Sequence, residues 1–172
     1  DWMRKVKPVL EKAGFAVACS NYERLNAFYF WLPIEYFRRK AMEMVEKDID
    51  TALVLHRQHK VSYIAHSFGS YVLARLILEK SDFRAERVIF CGSIVTARFE
   101  LEDAITKIES TKILNEVGTH DVWKVMAKYL TWGYGAVGTF GTRRPFAEDR
   151  WHAGFTHGCY LEGDFCRDCL GR

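Results

Sequence analysis

The sequence lacks a long uncharged apolar run, since none reaches the roughly 18 residues that a membrane-spanning helix needs. It also lacks a strong excess of one charge, because Lys and Arg are interspersed with Asp and Glu and the formal net charge is +3. Two small basic clusters, at 38–40 and 143–144, are therefore expected to be solvated surface, with no nucleic acid as partner. Internal repeats, low-complexity tracts and linkers are absent as well. Residues 1–172 are expected to form a single globular domain with no membrane span.

The sequence also lacks the even number of cysteines that a closed set of disulfides requires. The five cysteines are Cys19, Cys91, Cys159, Cys166 and Cys169. Cys19 and Cys91 stand inside apolar runs and are expected to be small buried hydrophobes. The three C-terminal cysteines, with His157 nearby, are of the residue types that bind zinc, but the second, distant ligand pair of most zinc modules is missing. Reduced thiols in a cytoplasmic protein, with no metal and no cofactor, are expected instead.

Apolar segments of strand length alternate with longer segments of helical periodicity along the chain. Helices are predicted over 2–13, 38–57, 70–80, 121–130 and 159–170, with a shorter one over 101–109. Strands are predicted over 15–20, 61–65, 87–95 and 111–118, and a Gly-rich loop over 132–145. This alternation is typical of the α/β class, with a mostly parallel sheet that has helices on both faces.

The apolar strand over 61–65 is followed by a polar pair, His66 and Ser67, after which an apolar helix begins at once. A strand, a sharp turn and a helix place Ser67 beside the free N–H groups of the helix N-terminus. So sharp a turn strains the serine backbone, and the residues two places before and after it must be small. Ala65 and Gly69 meet this requirement. The pattern predicts a serine presented at the carboxyl end of a buried strand.

The sequence Ala65-His66-Ser67-Phe68-Gly69 resembles the G-x-S-x-G nucleophile elbow of the α/β-hydrolase family. Ala65 replaces the first glycine, and the departure is conservative because alanine still lets the helix pack close to the strand. The resemblance covers nearly all of the chain, from the family's first helix to its C-terminus. It implies an α/β-hydrolase-like fold with Ser67 as nucleophile. It also implies that an acid and then a histidine follow the serine along the chain.

An acid in the required order follows the predicted strand 111–118. Asp121 comes just after this strand, where the catalytic loops of parallel sheets lie. The resemblance gives Asp121 the role of orienting the base and stabilising its charged form. Asp121 can also cap the helix that follows, and the two roles are compatible. Glu100 and Asp103, which follow the previous strand, are the alternatives.

Two histidines follow Asp121 and are candidates for the general base. His157 lies between a Gly-rich loop and an apolar segment, and it resembles the histidine that the family places just ahead of its last helix. His152, in a more charged segment, is the alternative. His66 is the variable residue of the elbow and is expected to pack beside the site. The predicted triad is therefore Ser67, Asp121 and His157.

The resemblance also implies an oxyanion hole with two backbone donors. The N–H of Phe68, the residue after the nucleophile, is the first. In the family the second comes from a loop ahead of the first helix, which in this chain would lie upstream of Asp1. The same upstream region would hold a strand that, in the family, lies between the strands read here at 15–20 and 61–65.

Without that strand the sheet would have a central gap, and unpaired buried backbone groups cost about 1–3 kcal/mol each. We therefore expect the domain to be incomplete at its N-terminus, with the missing strand supplied by additional chain. A second polypeptide that fills the gap and a strand order unlike the family's are the alternatives.

The resemblance implies hydrolysis of a small-molecule ester or related acyl substrate through an acyl-enzyme intermediate. The aromatic stretch 27–37 either lines an apolar acyl or alcohol pocket or belongs to the core. Its aromatic residues include Phe28, Tyr29, Phe30, Trp31, Tyr36 and Phe37. A non-catalytic hydrolase-like scaffold that binds a partner is the alternative function. A flavodoxin-like or Rossmann-like domain is disfavoured, because the segment 19–26 after the first predicted strand has no glycine.

Overall fold

The computed structural model describes residues 2–20, 35–95, 101, 105–110, 112–121, 141–142 and 144–166. Its helices are α1 (Trp2–Lys12), α2 (Glu35–Leu55), α3 (Phe68–Glu79) and the short α4 (Gly163–Phe165), with 3₁₀ turns at Ile105–Lys107 and Cys159–Leu161. Its strands are β1 (Ser62–His66), β2 (Arg87–Cys91), β3 (Ile113–Gly118) and β4 (Ala147–His152). None of these helices has both the length and the apolar character to cross a membrane.

The strands form one sheet of four, in the order β1-β2-β3-β4, and every pair of neighbours is parallel. Parallel neighbours need a crossover connection, and α3 provides the one between β1 and β2. The sheet and its helices confirm the predicted α/β class. Because all strands run the same way, the loops that follow β1, β2, β3 and β4 meet at one edge of the sheet.

Helices cover both faces of the sheet, since successive residues of a strand point to opposite sides. Val88 and Phe90 of β2 pack with residues of α3 on one face. Ile89 and Cys91 pack with α1 and the C-terminal turns on the other. Helix α2 packs on α3 through a further apolar cluster. The buried members of that cluster are Ala41, Met42, Val45, Tyr71, Val72, Leu76 and Ile94.

Strand β4 is an element that the sequence pattern does not predict. Its six residues include Glu148, Asp149 and Arg150, so it has no apolar run. Among the described strands it lies at an edge of the sheet, where charged side chains can reach solvent. Asp149 accepts a hydrogen bond from the Asn115 amide of β3 at 2.7 Å. Pairing with β3, and not hydrophobicity, defines this strand.

The predicted strand over 15–20 is wrong. These residues lie outside the sheet, most of them are exposed, and Cys19 is exposed instead of buried. Val17 packs partly against the apolar cluster around α1, and the Ser20 hydroxyl donates to Asp48 of α2 at 2.7 Å. An apolar run becomes a strand only where another strand pairs with its N–H and C=O groups. No described strand lies beside this segment.

The predicted central gap depended on that strand. The described strands pair without interruption from β1 to β4, so the gap is not found among them, and β1 is an edge strand in this part of the chain. The predicted additional strand is not among the described strands. Its existence stays a prediction.

Several predicted boundaries also shift. Strand β2 ends at Cys91, short of residue 95, because Gly92 takes a positive φ of 57° that turns the chain out of the sheet. The helix predicted over 101–109 is a 3₁₀ turn, and the last predicted helix begins as a 3₁₀ turn followed by α4. Most of the helix over 121–130 and of the loop over 132–145 lies outside the described residues, as does the end of the last predicted helix.

The first basic cluster is only partly on the surface. Arg39 and Lys40 are exposed, whereas Arg38 is buried with its guanidinium 5.6 Å from the ring centre of Tyr71. Helical periodicity explains the difference, because it turns Arg38 toward α3. In the second cluster Arg144 is exposed and residue 143 lies outside the described part of the chain.

Gly118, the last residue of β3, leaves no room for a side chain. A Cβ there would lie 2.6 Å from the Phe155 carbonyl oxygen and 2.7 Å from the Tyr160 hydroxyl. We expect Gly118→Ala to lower the free energy of unfolding by about 1–3 kcal/mol, because the turn after β4 must shift. Urea denaturation followed by circular dichroism measures this change.

The control is Gly158→Ala, since a Cβ at Gly158 would meet nothing within 4 Å and its φ of −83° suits any residue. This variant should stay within about 0.5 kcal/mol of the parent protein. Equal unfolding midpoints for the two variants would contradict the close packing of Gly118.

Candidate active site

Ser67 lies at the turn between β1 and α3, where the sequence predicts it. Its backbone angles are φ 54° and ψ −122°, and it is the one non-glycine residue in the described ranges with a positive φ. Such a conformation costs about 1–3 kcal/mol and persists only where the surroundings fix it. The turn places the Ser67 hydroxyl within reach of the loop that follows β4.

Hydrogen bonds hold the Ser67 backbone in this conformation. Its N–H donates to the Cys91 carbonyl at 3.1 Å, which ties the turn to the end of β2. Its carbonyl accepts from the Ser70 hydroxyl at 2.6 Å. The buried Ser70 hydroxyl also accepts from the Ile94 N–H at 3.2 Å. Ser70 therefore links the first turn of α3 to the loop after β2.

The structure brings the three predicted triad residues together. The Nε2 atom of His157 lies 3.0 Å from the Ser67 hydroxyl, and its Nδ1 atom lies 3.0 Å from Oδ2 of Asp121. In the tautomer with the proton on Nδ1, His157 donates to Asp121 and accepts from Ser67. The Asp121 side chain is fully buried, and the His157 side chain is partly exposed. This arrangement can move a proton from the serine hydroxyl to the imidazole.

The acid and the base come from two loops at the same edge of the sheet. Asp121 lies in the loop after β3, and His157 in the loop after β4. The loops are bonded to each other, because the His120 N–H donates to the Phe155 carbonyl at 3.0 Å. The positions of Asp121 and His157 therefore depend on each other.

His152, the alternative base, is not at this site. The Nε2 atom of His152 lies 2.6 Å from the Glu116 carboxylate, and the ring bonds there and not to Ser67. Glu100 and Asp103, the alternative acids, lie outside the described residues.

Phe68, the predicted oxyanion donor, is the first residue of α3. Backbone N–H groups in the first turn of a helix have no partner within that helix, so they can bind a negative oxygen. The role of Phe68 stays a prediction, as does the second donor upstream of Asp1.

The structure adds contacts that sequence reasoning missed. His66, expected beside the site, has its Nε2 atom 3.2 Å from the His157 carbonyl oxygen, with the ring centres 4.7 Å apart. A Cβ at Gly92 would lie 3.4 Å from Nδ1 of His157 and 3.2 Å from the Tyr160 ring, so a glycine leaves room for the base. The sequence signal was a glycine inside the predicted strand 87–95, which can mark a close approach of another segment.

Tyr160 is a second residue that the sequence did not indicate. It is fully buried, and its ring centre lies 6.0 Å from that of His66. Burial raises the pKa of the Tyr160 phenol, and the charge of Asp121 raises it further. The hydroxyl therefore stays protonated and adds no negative charge beside the acid.

The C-terminal cysteines form no metal site in the part that the structure describes, where no three His, Cys, Asp or Glu side chains are placed to hold an ion. Cys91 is buried, as predicted, and Cys166 is buried as well. Cys159 is partly exposed, and its sulfur accepts from the Thr156 N–H at 3.4 Å. Cys169 lies outside the described residues.

The aromatic stretch 27–37 is described only from residue 35 onward, where Tyr36 is exposed on α2. Its place in a substrate pocket stays a prediction.

Comparison with protein-family models, with curated proteins and with solved structures gave no match to this chain. The functional conclusion depends on the residues and their geometry.

Ser70→Ala tests how the serine turn is held. The substitution removes the hydroxyl that bonds Ser67 and leaves the buried Ile94 N–H without this acceptor. We expect a loss of about 1–3 kcal/mol in the free energy of unfolding, measured by urea denaturation. Thr51→Ala is the control, because the Thr51 hydroxyl bonds the Lys47 carbonyl at 2.8 Å on the exposed side of α2. A loss no larger than that of the control would show that Ser70 does not hold the turn.

Proposed function

We propose that the protein is a serine hydrolase that cleaves an ester or a related acyl compound. The observation that carries this proposal is the hydrogen-bonded chain from Ser67 through His157 to Asp121, with the serine in a strained turn. A serine hydroxyl is a weak nucleophile until a neighbouring base takes its proton. The position of all three residues at the carboxyl edge of a parallel sheet supports the α/β-hydrolase resemblance.

In the proposed reaction the Ser67 oxygen attacks the carbonyl carbon while His157 takes the hydroxyl proton. Asp121 holds the imidazole in the correct tautomer and stabilises its charged form. The tetrahedral intermediate collapses when the bond to the leaving alcohol breaks and His157 gives its proton to that alcohol. Water, deprotonated by His157, then attacks the acyl-enzyme and releases the acid, and the proton returns to Ser67.

The negative oxygen of each tetrahedral intermediate needs fixed donors. We assign the backbone N–H of Phe68 as one of them, since it lies directly after Ser67 at the N-terminus of α3. The second donor is not assigned among the described residues.

An uncharged substrate fits the described surroundings of Ser67. Phe68 follows the serine and stacks on Tyr71 with ring centres 5.9 Å apart, and the neighbour on the other side is His66. Aromatic surfaces of this kind bind apolar acyl or alcohol groups. No step of the reaction requires a cofactor. Cytoplasmic localisation remains a proposal, based on the absence of a disulfide among the four described cysteines.

A fluorophosphonate probe tests the nucleophile. In the full-length protein the probe should label Ser67, because the reaction requires a serine that an adjacent base activates. Ser67→Ala should abolish labelling, as measured by mass spectrometry of the modified peptide. Ser81→Ala, at an exposed serine after α3, is the control and should leave labelling unchanged. A folded protein that the probe does not label would favour the non-catalytic scaffold.

Hydrolysis of short p-nitrophenyl esters tests the acid. Asp121→Asn should lower kcat by about 10⁴-fold while leaving the fold intact, because the amide favours the wrong tautomer of His157. Asp82→Asn, at an exposed aspartate, is the matched control and should keep the parent rate. An unchanged kcat in Asp121→Asn would remove Asp121 from the mechanism.

A further inference from the structure

A second carboxylate–imidazole pair lies close to the triad and has no part in the proposed reaction. Glu116 of β3 is fully buried, and its Oε2 atom lies 2.6 Å from Nε2 of His152 on β4. Arg150, on the same strand as His152, has a guanidinium nitrogen 3.6 Å from the other carboxylate oxygen. Burying a carboxylate is costly even when it is paired, and an apolar side chain would fill the same space without that cost. Packing alone therefore does not explain Glu116.

The main chain of His152 joins the loops of the acid and the base. Its carbonyl accepts from the Thr119 N–H at 3.1 Å and from the Phe155 N–H at 3.4 Å. Thr119 begins the loop that contains Asp121, and Phe155 lies in the loop that contains His157. One carbonyl thus fixes the start of both loops.

The His152 ring also contacts the loop that contains His157. It stacks on the Phe155 ring, with centres 4.7 Å apart and planes at 27°. Phe165 packs edge-on against both rings, at 5.4 Å and 5.8 Å. Glu116 fixes the orientation of the His152 ring, and that ring in turn fixes Phe155. The Phe155 carbonyl then accepts from the His120 N–H, so a rotation of the ring would move the loop.

We propose that Glu116 and His152 are positioning residues, which orient the loop 153–157 so that the His157 ring meets Ser67. The inference rests on the proposed function, because it assigns a role within the same site. It predicts that the pair controls the geometry of the base without touching the reacting atoms.

The test replaces the whole pair by apolar side chains. The double variant Glu116→Leu with His152→Phe leaves no buried charge unpaired, and such replacements are often neutral for stability. The phenyl ring can still stack on Phe155. A purely structural role of the pair would therefore survive the exchange, whereas a positioning role would not.

The first readout is the NMR resonance of the His157 Nδ1 proton, which is assigned by its loss in His157→Gln. In the parent protein this proton is bonded to Asp121 and should give a downfield signal. We expect the double variant to shift or lose the signal. Glu116→Gln should keep it, because the glutamine amide oxygen can still accept from the His152 ring, which stays stacked on Phe155.

The second readout is the hydrolysis of p-nitrophenyl acetate. A misplaced base slows the chemical step and leaves substrate binding alone, so kcat should fall about 10- to 100-fold with KM within about twofold. Glu116→Gln, which keeps the His152 ring and its hydrogen bond, should recover most of the parent kcat. If the double variant does not fold, the single variant Glu116→Leu, which leaves no buried carboxylate, is measured in the same way.

An unchanged Nδ1 resonance in the folded double variant, or an unchanged kcat, would overturn the proposal and leave the pair a structural feature. The proposed function fails separately. If the parent protein shows the Nδ1 signal but hydrolyses no ester, the hydrolase proposal is lost, and the comparison of resonances still decides whether the pair positions His157.

Discussion

The strained backbone of Ser67 is held by hydrogen bonds from two directions, and the geometry of the site depends on them. The Cys91 carbonyl binds the Ser67 N–H, and the Ser70 hydroxyl binds its carbonyl. Both partners are buried, so the apolar layers on the two faces of β2 keep them in place. Core packing at the centre of the sheet thus determines where the hydroxyl lies. His157 and Asp121 need only be brought to that fixed point.

The parallel sheet places the loops of Asp121 and His157 at the same edge as Ser67. Because its strands follow one another in sequence order, the loops after β1, β3 and β4 carry the serine, the acid and the base in the same order along the sheet edge. The register pairs Gly118 at the end of β3 with His152 at the end of β4, so the two loops leave the sheet side by side. Hydrogen bonds between the two loops then fix the position of Asp121 relative to His157.

What could be predicted from the sequence was local. The elbow around Ser67 and the strands on either side of α3 carry their own apolar pattern, so both were found. The placement of Asp121 and His157 followed from chain order, while their catalytic roles stay predictions. Strand β4 and the segment 15–20 were misread because pairing decides both: a charged segment with a partner forms a strand, and an apolar one without a partner does not. The contact of Ser70 with Ile94 joins segments 24 residues apart and leaves no periodic pattern.

Strand β4 is bonded to the described sheet through β3 alone, and half of its residues are charged. Edges of this kind open locally at a lower free energy than the core. Such an opening would carry His157 away while β1, β2 and α3 keep the serine turn intact. Partly unfolded molecules would then hold a strained serine without its imidazole partner, and the proposed reactivity would vanish before helical structure on denaturation. A covalent inhibitor that bonds both the serine and the histidine would fasten this edge, protecting its amide protons from exchange more than those of the central strands.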